Sequence, residues 1–317
     1  MCEHHFDHGM VLDSSLRGGK GSMNKTLKNP LAYVLFTVPT LLMYLLFFLY
    51  PLLTSLRYGF TQWNGISHAQ FNGLDNFVTA LHDKYFWIAV KNNIYFILFS
   101  VFIQIPFILA LALLISRVKR LSGFYKTTVF LPSILSTAVV GVLWSFVYHP
   151  EAGLLNKLLE AIGLSSWKHV WLADEATAFL SVLVTNAWQW IGFYVVLVLA
   201  AIFAIPKDIL EAAEIDGAIG WKQAWAITVP LIRPVLIVIV LLSITGAMKA
   251  LDIVFVMTNG DPYGITEVMA TYMYKKAYRI GEYGYANAIA ILIFVFTVIL
   301  TLIFRFLTRK SEEVQYG

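Results

Sequence analysis

"EAAEIDGAIGWKQAWAITVPLIRP", Glu211 to Pro234, sets three acids, Glu211, Glu214 and Asp216, beside Ala212, Ala213 and Gly217, between two long apolar runs. A soluble domain gains little from such a segment, whereas a membrane protein that passes mechanical force to a partner needs one. Asp208 and Glu211 form a D-x-x-E capping pattern, which predicts a helix starting just after Pro206. Acids in its first turns complement the positive end of the helix dipole. Ala212 and Ala213 keep one face thin, so a partner's groove reaches the backbone closely. Gly217 predicts the stop, because a residue without Cβ takes a left-handed conformation at no steric cost. A second helix, about Gly220 to Thr228, leads into the next apolar run through Pro230. The expected product is a rigid elbow. A helix lying on a membrane surface would be rich in Lys and Arg, and this one opens with acids.

The runs on either side decide the class. The chain of 317 residues is 59% hydrophobic and 13% charged, where soluble domains carry about 25% charged residues. No charge falls between Lys28 and Arg57, Lys91 and Arg117, Lys126 and Glu151, Glu175 and Lys207, or Glu282 and Arg305. A further run, from Pro234 to Leu251, is uncharged until Lys249. A bilayer core needs about 20 apolar residues as helix, so six crossings are expected, over 31–54, 89–115, 127–148, 178–204, 233–251 and 286–307. In lipid every backbone amide and carbonyl must be satisfied within the segment or in a closed barrel. Alternating ten-residue strands are absent, so the fold class is all-α and polytopic. The prolines in these runs, Pro39, Pro51, Pro106, Pro132, Pro230 and Pro234, read as ordinary punctuation of a bundle.

The positive-inside rule orients the chain. Beyond residue 22, the side that holds Arg117, Lys119, Arg120 and Lys126 carries twelve Lys and Arg, against eight on the other. Both termini and the 207–229 loop are therefore expected in the cytoplasm. Residues 1–22, "MCEHHFDHGMVLDSSLRGGKGS", read as an expression remnant or overextended start before Met23, and His4, His5 and His8 lack the carboxylate partners of a metal site. Cys2 is the single cysteine, which excludes an internal disulfide framework. Outer loops of some thirty residues look part-structured. One of them has a helical apolar period in Leu154, Leu155, Leu158, Leu159 and Ile162.

The acidic elbow resembles the "EAA…G" cytoplasmic loop of permease subunits of bacterial ATP-binding-cassette importers. Gly217, Ile227, Pro230 and Pro234 also stand where that pattern has them. "PKDILEAAEIDGAIGWKQAWAITVPLIRP" (Pro206–Pro234) is similar to the carbohydrate-importer permeases. "WNG" (Trp63–Gly65), "FNGLDNF" (Phe71–Phe77) and "YGYANAIA" (Tyr283–Ala290) resemble the maltose F-type and glycerol-3-phosphate A-type subunits. The subfamily commonly shows T-x-G-G-P…T, and here "TNGDPYGIT" (Thr258–Thr266) departs from it. The resemblance covers 23–317. It implies a type I importer permease in the bacterial inner membrane, coupled to its motor through Glu211, Ala212, Ala213, Glu214, Asp216 and Gly217. It further implies a second homologous permease, two copies of an ATPase that hold ATP and Mg, and an extracytoplasmic sugar-binding protein, with membrane lipid around the bundle and no nucleic acid.

No catalytic residue or cofactor is expected on this chain. "RGGKGS" (Arg17–Ser22) lacks the G-x-x-x-x-G-K-[ST] spacing that wraps a nucleotide phosphate, and no H-E-x-x-H or G-x-S-x-G occurs. Polar and aromatic residues within crossings are the substrate candidates, because polar groups at membrane depth are expensive. Asn186, Gln189, Trp190 and Phe193 share a helical face by three- and four-residue spacing. Ser243, Gly246, Ala247 and Ala250 form a face of small residues with one hydroxyl. Aromatic rings cover the C–H faces of sugars, while amides and hydroxyls pair with their OH groups. Small and amide side chains at helix interfaces also serve packing. Tyr194 and Asn287 are weaker candidates, and Lys249 with Asp252, three apart, suggest an ion pair. A polyol or glycerol phosphate would suit the same machinery. A passive channel or proton-coupled carrier would want an intramembrane acid or His relay, which these segments lack.

Overall fold

The computed structural model of the chain describes residues 30–118 and 122–309. The tail 1–22, its three histidines and most of the basic loop after Arg117 lie outside the described residues. Two compact units divide at Arg57 and Tyr58. The first contains most of α1 (Val34–Gly59), largely apolar up to Arg57 and continuous through Pro39 and Pro51.

The second unit is almost wholly helical among its described residues. A short antiparallel hairpin, β1 (Thr61–Gln62) and β2 (Gln70–Phe71), leads into α2 (Asp75–His82). The longest helix, α3 (Lys84–Arg117), starts five residues before its expected crossing. Asp83 explains the early start, since its carboxylate accepts the Tyr85 amide at 2.9 Å as N-cap. The third expected crossing is two helices, α4 (Gly123–Ile134) and α5 (Thr137–Val147), bent by 99°. Pro132 is thus more than punctuation here. It removes a backbone donor one turn before the bend, and Ser136 restarts the chain as N-cap of α5, accepting from Val139 at 3.4 Å.

Outside the crossings, α6 (Leu154–Ala161) is the expected loop helix, with Asn156 donating to Pro150 and His169 carbonyls. Next comes α7 (Ala178–Phe203), with more than half of its most apolar window buried. The elbow follows as α8 (Lys207–Ile215) and α9 (Trp221–Leu231), and α9 meets α10 (Arg233–Met248) at 68°. The chain then breaks at Lys249 and Ala250 before α11 (Leu251–Met257), so the fifth crossing ends three residues early. α12 (Met269–Tyr274) and α13 (Tyr283–Arg309) complete the unit. Among the described residues, four helices are long and apolar enough to cross a membrane, six crossings if each bent pair is one span.

One core joins α3, α7 and α10 through residues such as Ile108, Val195, Leu199 and Ile239, all buried. A second gathers Phe86 and Ala89 of α3 with Met269, Tyr272, Tyr285 and Ile289. α7 packs so closely on α4 that a Cβ on Gly192 would lie 1.9 Å from the Val129 carbonyl oxygen. Small residues at such crossings let membrane helices approach, where apolar burial alone supplies little drive.

Candidate functional site: a central cavity and an acidic elbow

The elbow forms as a tight helical hairpin. α8 ends in a Schellman motif, with the Ala218 amide bonded to the Ala213 carbonyl at 2.8 Å and the Gly217 amide to the Glu214 carbonyl at 3.0 Å. Gly217 takes φ +78°, as this geometry requires. Glu211, Ala212, Glu214, Asp216 and Gly217 are exposed, whereas Ala213 faces inward at 7% exposure. Gln223 of α9 donates to the Leu210 carbonyl at 3.0 Å and to Glu214 at 3.4 Å, which fixes the angle between the two arms. Arg117 reaches from the end of α3 to the Gly220 carbonyl at 2.7 Å and lies over the Trp221 ring. The expected capping pair does not form. Pro206 is the N-cap, and Asp208, two residues into the turn, makes no cap bond and acts only through the dipole.

A cavity of about 350 Å³ opens between α3, α7 and the end of α10. Six of the seven substrate candidates from the sequence line it: Asn186, Trp190, Phe193, Ser243, Gly246 and Ala247, with Tyr194 and Ala250 beside them. Trp190 and Phe193 meet edge-to-face, centroids 6.1 Å apart. The Ser243 hydroxyl is buried without a hydrogen-bond partner. The seventh candidate, Gln189, is turned elsewhere. It is 1% exposed and donates to the Leu135 carbonyl at 3.1 Å and Thr137 Oγ1 at 3.3 Å, pinning the α4–α5 bend. Asn287 donates to its own helix at Tyr283 and does not line the cavity.

Several lining residues escaped the sequence reading. Phe96, Ser100 and Gln104 project from α3, and Thr137 from α5. Ser100 and Gln104, four apart in an apolar run, carried the same signal as Asn186 and Trp190. Lys249 and Asp252 also line the cavity and form no ion pair with each other. Their three-residue spacing implied continuous helix, but the break at Ala250 (φ −72°, ψ 58°) removes that register.

Toward the ends of α3 and α13 lies a polar cluster that no motif announced. Asp83 accepts from the Tyr272 hydroxyl and, at 3.0 Å, from the Tyr285 hydroxyl. Burial pushes its carboxyl up, but these hydroxyls and the Tyr85 and Phe86 amides outweigh burial and hold it below the usual carboxylate range. Asn92 donates to the Ile265 and Glu267 carbonyls at 2.7 Å each, while Asn93 donates to the Ala247 carbonyl and accepts from the Met269 amide. The two amides tie the loop after α11 to α3. Within that loop Glu267 is 3% exposed and lies 3.5 Å from Lys275. Burial raises its carboxyl, and Thr271 and Lys275 offset only part of that.

Residues 103–313 match the family described as "Binding-protein-dependent transport system inner membrane component". The "Probable ABC transporter permease protein YurN" of Bacillus subtilis (strain 168) is 37% identical over 290 residues, covering 90% of this chain and 99% of that protein. The "Probable starch degradation products transport system permease protein AmyD" of Thermoanaerobacterium thermosulfurigenes is 31% identical, covering 91% and 97%. Among solved structures, a chain of a bacterial ABC transporter involved in the import of the acidic polysaccharide alginate superposes with TM-score 0.79 at 25% identity, over 92% of this chain and 99% of that one. A chain from the alginate transporter in complex with its alginate pentasaccharide-bound periplasmic protein gives the same TM-score over 90% and 96%. With its bent crossings, its acidic elbow and this coverage, the chain belongs to the inner membrane components of binding-protein-dependent transport systems, the non-catalytic permease subunits of ABC importers.

Proposed function

We propose that this chain forms half of the translocation pathway of an ATP-driven carbohydrate importer, and that the central cavity is its part of the sugar path. The carrying observation is the lining itself: two aromatic rings at right angles, an amide at Asn186 and an unpartnered Ser243 hydroxyl. Apolar ring faces suit sugar C–H surfaces, and the buried polar atoms suit hydroxyls, since an unmatched buried group is costly. The starch-product and alginate systems among its relatives support the same substrate class.

A second homologous permease closes the other side of the path. Two copies of an ATPase sit below the permease pair, one of them docking on this chain's elbow through Glu211, Ala212, Ala213, Glu214, Asp216 and Gly217, and an extracytoplasmic sugar-binding protein delivers substrate. Both termini face the cytoplasm, a reading that the Lys and Arg distribution supports. ATP and Mg stay on the partner subunits. When the ATPase pair closes, the elbow carries its movement into the bundle, because Gln223 locks its two arms together and Arg117 ties it to the end of α3. Import of a polyol or glycerol phosphate by the same machinery is the second reading, favoured by Lys249 at the cavity wall.

The test is uptake in proteoliposomes that contain the full set of subunits and binding protein. Radiolabelled oligosaccharide accumulates only with ATP, and Trp190→Ala with Asn186→Ala lowers accumulation at least ten-fold (about 1.4 kcal/mol) while the complex stays assembled. Uptake by this chain alone without ATP makes it a carrier. Accumulation of glycerol phosphate, lost in Lys249→Met, selects the second reading.

A further inference from the structure

We propose that the junction between the elbow and the bundle is a binding site for a phosphate group, the headgroup of an anionic phospholipid or a free phosphate-bearing solute. A cavity of about 270 Å³, distinct from the central one, lies where α3 and α7 end and α8 and α9 begin. Its wall includes Ser116 and Arg117 of α3, Lys207 at the start of α8, and Gln223 and Thr228 of α9. Among the described residues, no Asp or Glu lines it. A third cation, Lys126, lies near by, 4.5 Å from the ring centre of the wall residue Phe203.

Ser116 and Gln223 spend their donors on the Leu113 and Leu210 carbonyls, whereas the two wall cations keep donors free. Thr228 of the wall is 7% exposed. Among the described residues Lys207 forms no ion pair, and Arg117 spends one nitrogen on the Gly220 carbonyl, which leaves other nitrogens of its fork to donate. Pro206 supplies no side-chain cap to α8, whose Ile209 amide turns back to the Pro206 carbonyl at 3.2 Å. Two wall cations with a third near by, and no described carboxylate in the wall, are complementary to a phosphate. The acids of the elbow do not oppose this. Asp208, Glu211, Glu214 and Asp216 are exposed outside the cavity wall. The apolar part of the wall, Leu113, Ile202 and Ile205, gives a glycerol backbone or acyl chain somewhere to lie.

The position sets the consequence. A bound phosphate joins Arg117 of the bundle to Lys207 of the elbow and stiffens the joint that passes force. This consequence rests on the coupling role proposed above, whereas the site itself does not. Native mass spectrometry of the full chain in detergent separates them, because it needs neither ATP nor partner subunits. The chain is titrated with phosphatidylglycerol, with phosphatidylcholine and with inorganic phosphate. Retention of phosphatidylglycerol over phosphatidylcholine, reduced about five-fold in Lys207→Gln and recovered in Lys207→Arg, identifies the lipid as source. Inorganic phosphate adducts with the same dependence on Lys207 identify the solute. Equal retention of both lipids without phosphate adducts, or binding unchanged in both Lys207→Gln and Lys126→Gln, overturns the proposal.

Discussion

Gly217 separates conformation from contact. A Cβ there would meet nothing within 4 Å, so a larger residue is opposed by its φ of +78° alone. Left-handed backbone costs a β-branched residue about 1–2 kcal/mol, enough to bias the turn without unfolding the bundle. Gly217→Val is expected to keep its thermal midpoint within a few degrees and to lose ATP-coupled uptake. Wild-type uptake together with unchanged ATPase docking would remove the coupling role. Two carboxyls give opposite pH signatures. Asp83 is held low, so its contribution is complete above the ordinary 3.8 and fades as pH falls through its lower folded value. Asp83→Ala should cost about 1–2 kcal/mol at neutral pH, solvent screening keeping it near the lower end. Glu267 is held high, so its contribution is complete below 4.5 and fades as pH rises through its folded value. Glu267→Gln should therefore raise the melting temperature at pH 8 and leave it unchanged at pH 4, since Lys275, 39% exposed, keeps its water. Melting curves of both variants across pH check the signs.

Two devices at the scale of elements set the cavity walls: the α4–α5 bend and the α4–α7 contact. Gln189 holds the bend by two hydrogen bonds to α4–α5, and a buried group left without its partner costs about 1–3 kcal/mol. In membranes the measured worth of such bonds averages about 0.6 kcal/mol, so Gln189→Leu is expected to lower stability by about 1 kcal/mol and to leave the cavity wall less fixed. Thermal unfolding in detergent reads the first, and substrate affinity the second. Gly192 behaves differently. Its missing Cβ is replaced in space by the Val129 carbonyl, so Gly192→Leu forces α7 off α4 and should abolish the folded, monodisperse protein. Gly246→Ala, at a position with nothing within 4 Å, should fold normally and serves as the control. A Gly192→Leu protein with wild-type elution and melting would show that this contact is dispensable.

Across the whole molecule, the crossings were legible because charge is excluded from lipid and each run needs about 20 residues. The elbow was legible because Pro206, the acids and Gly217 act on their own turn of helix. Local signals misled where a neighbour took over the side chain. Gln189 shares a helical face with Asn186 and Trp190, yet α4 and α5 supply acceptors that draw it away from the cavity. Lys249 and Asp252 have ion-pair spacing only while the helix continues, and it stops at Met248. Asn92 and Asn93 hold carbonyls more than 150 residues away; nothing in their own segment names those partners. The sequence by itself therefore determined the class, the crossings and the turn of the elbow, all of which follow from solvent exclusion and nearest-neighbour backbone chemistry. Only the tertiary structure decided the 99° bend, the cavity wall and the Asp83 cluster, because each depends on which distant donor or acceptor lies within about 3 Å of a buried polar group.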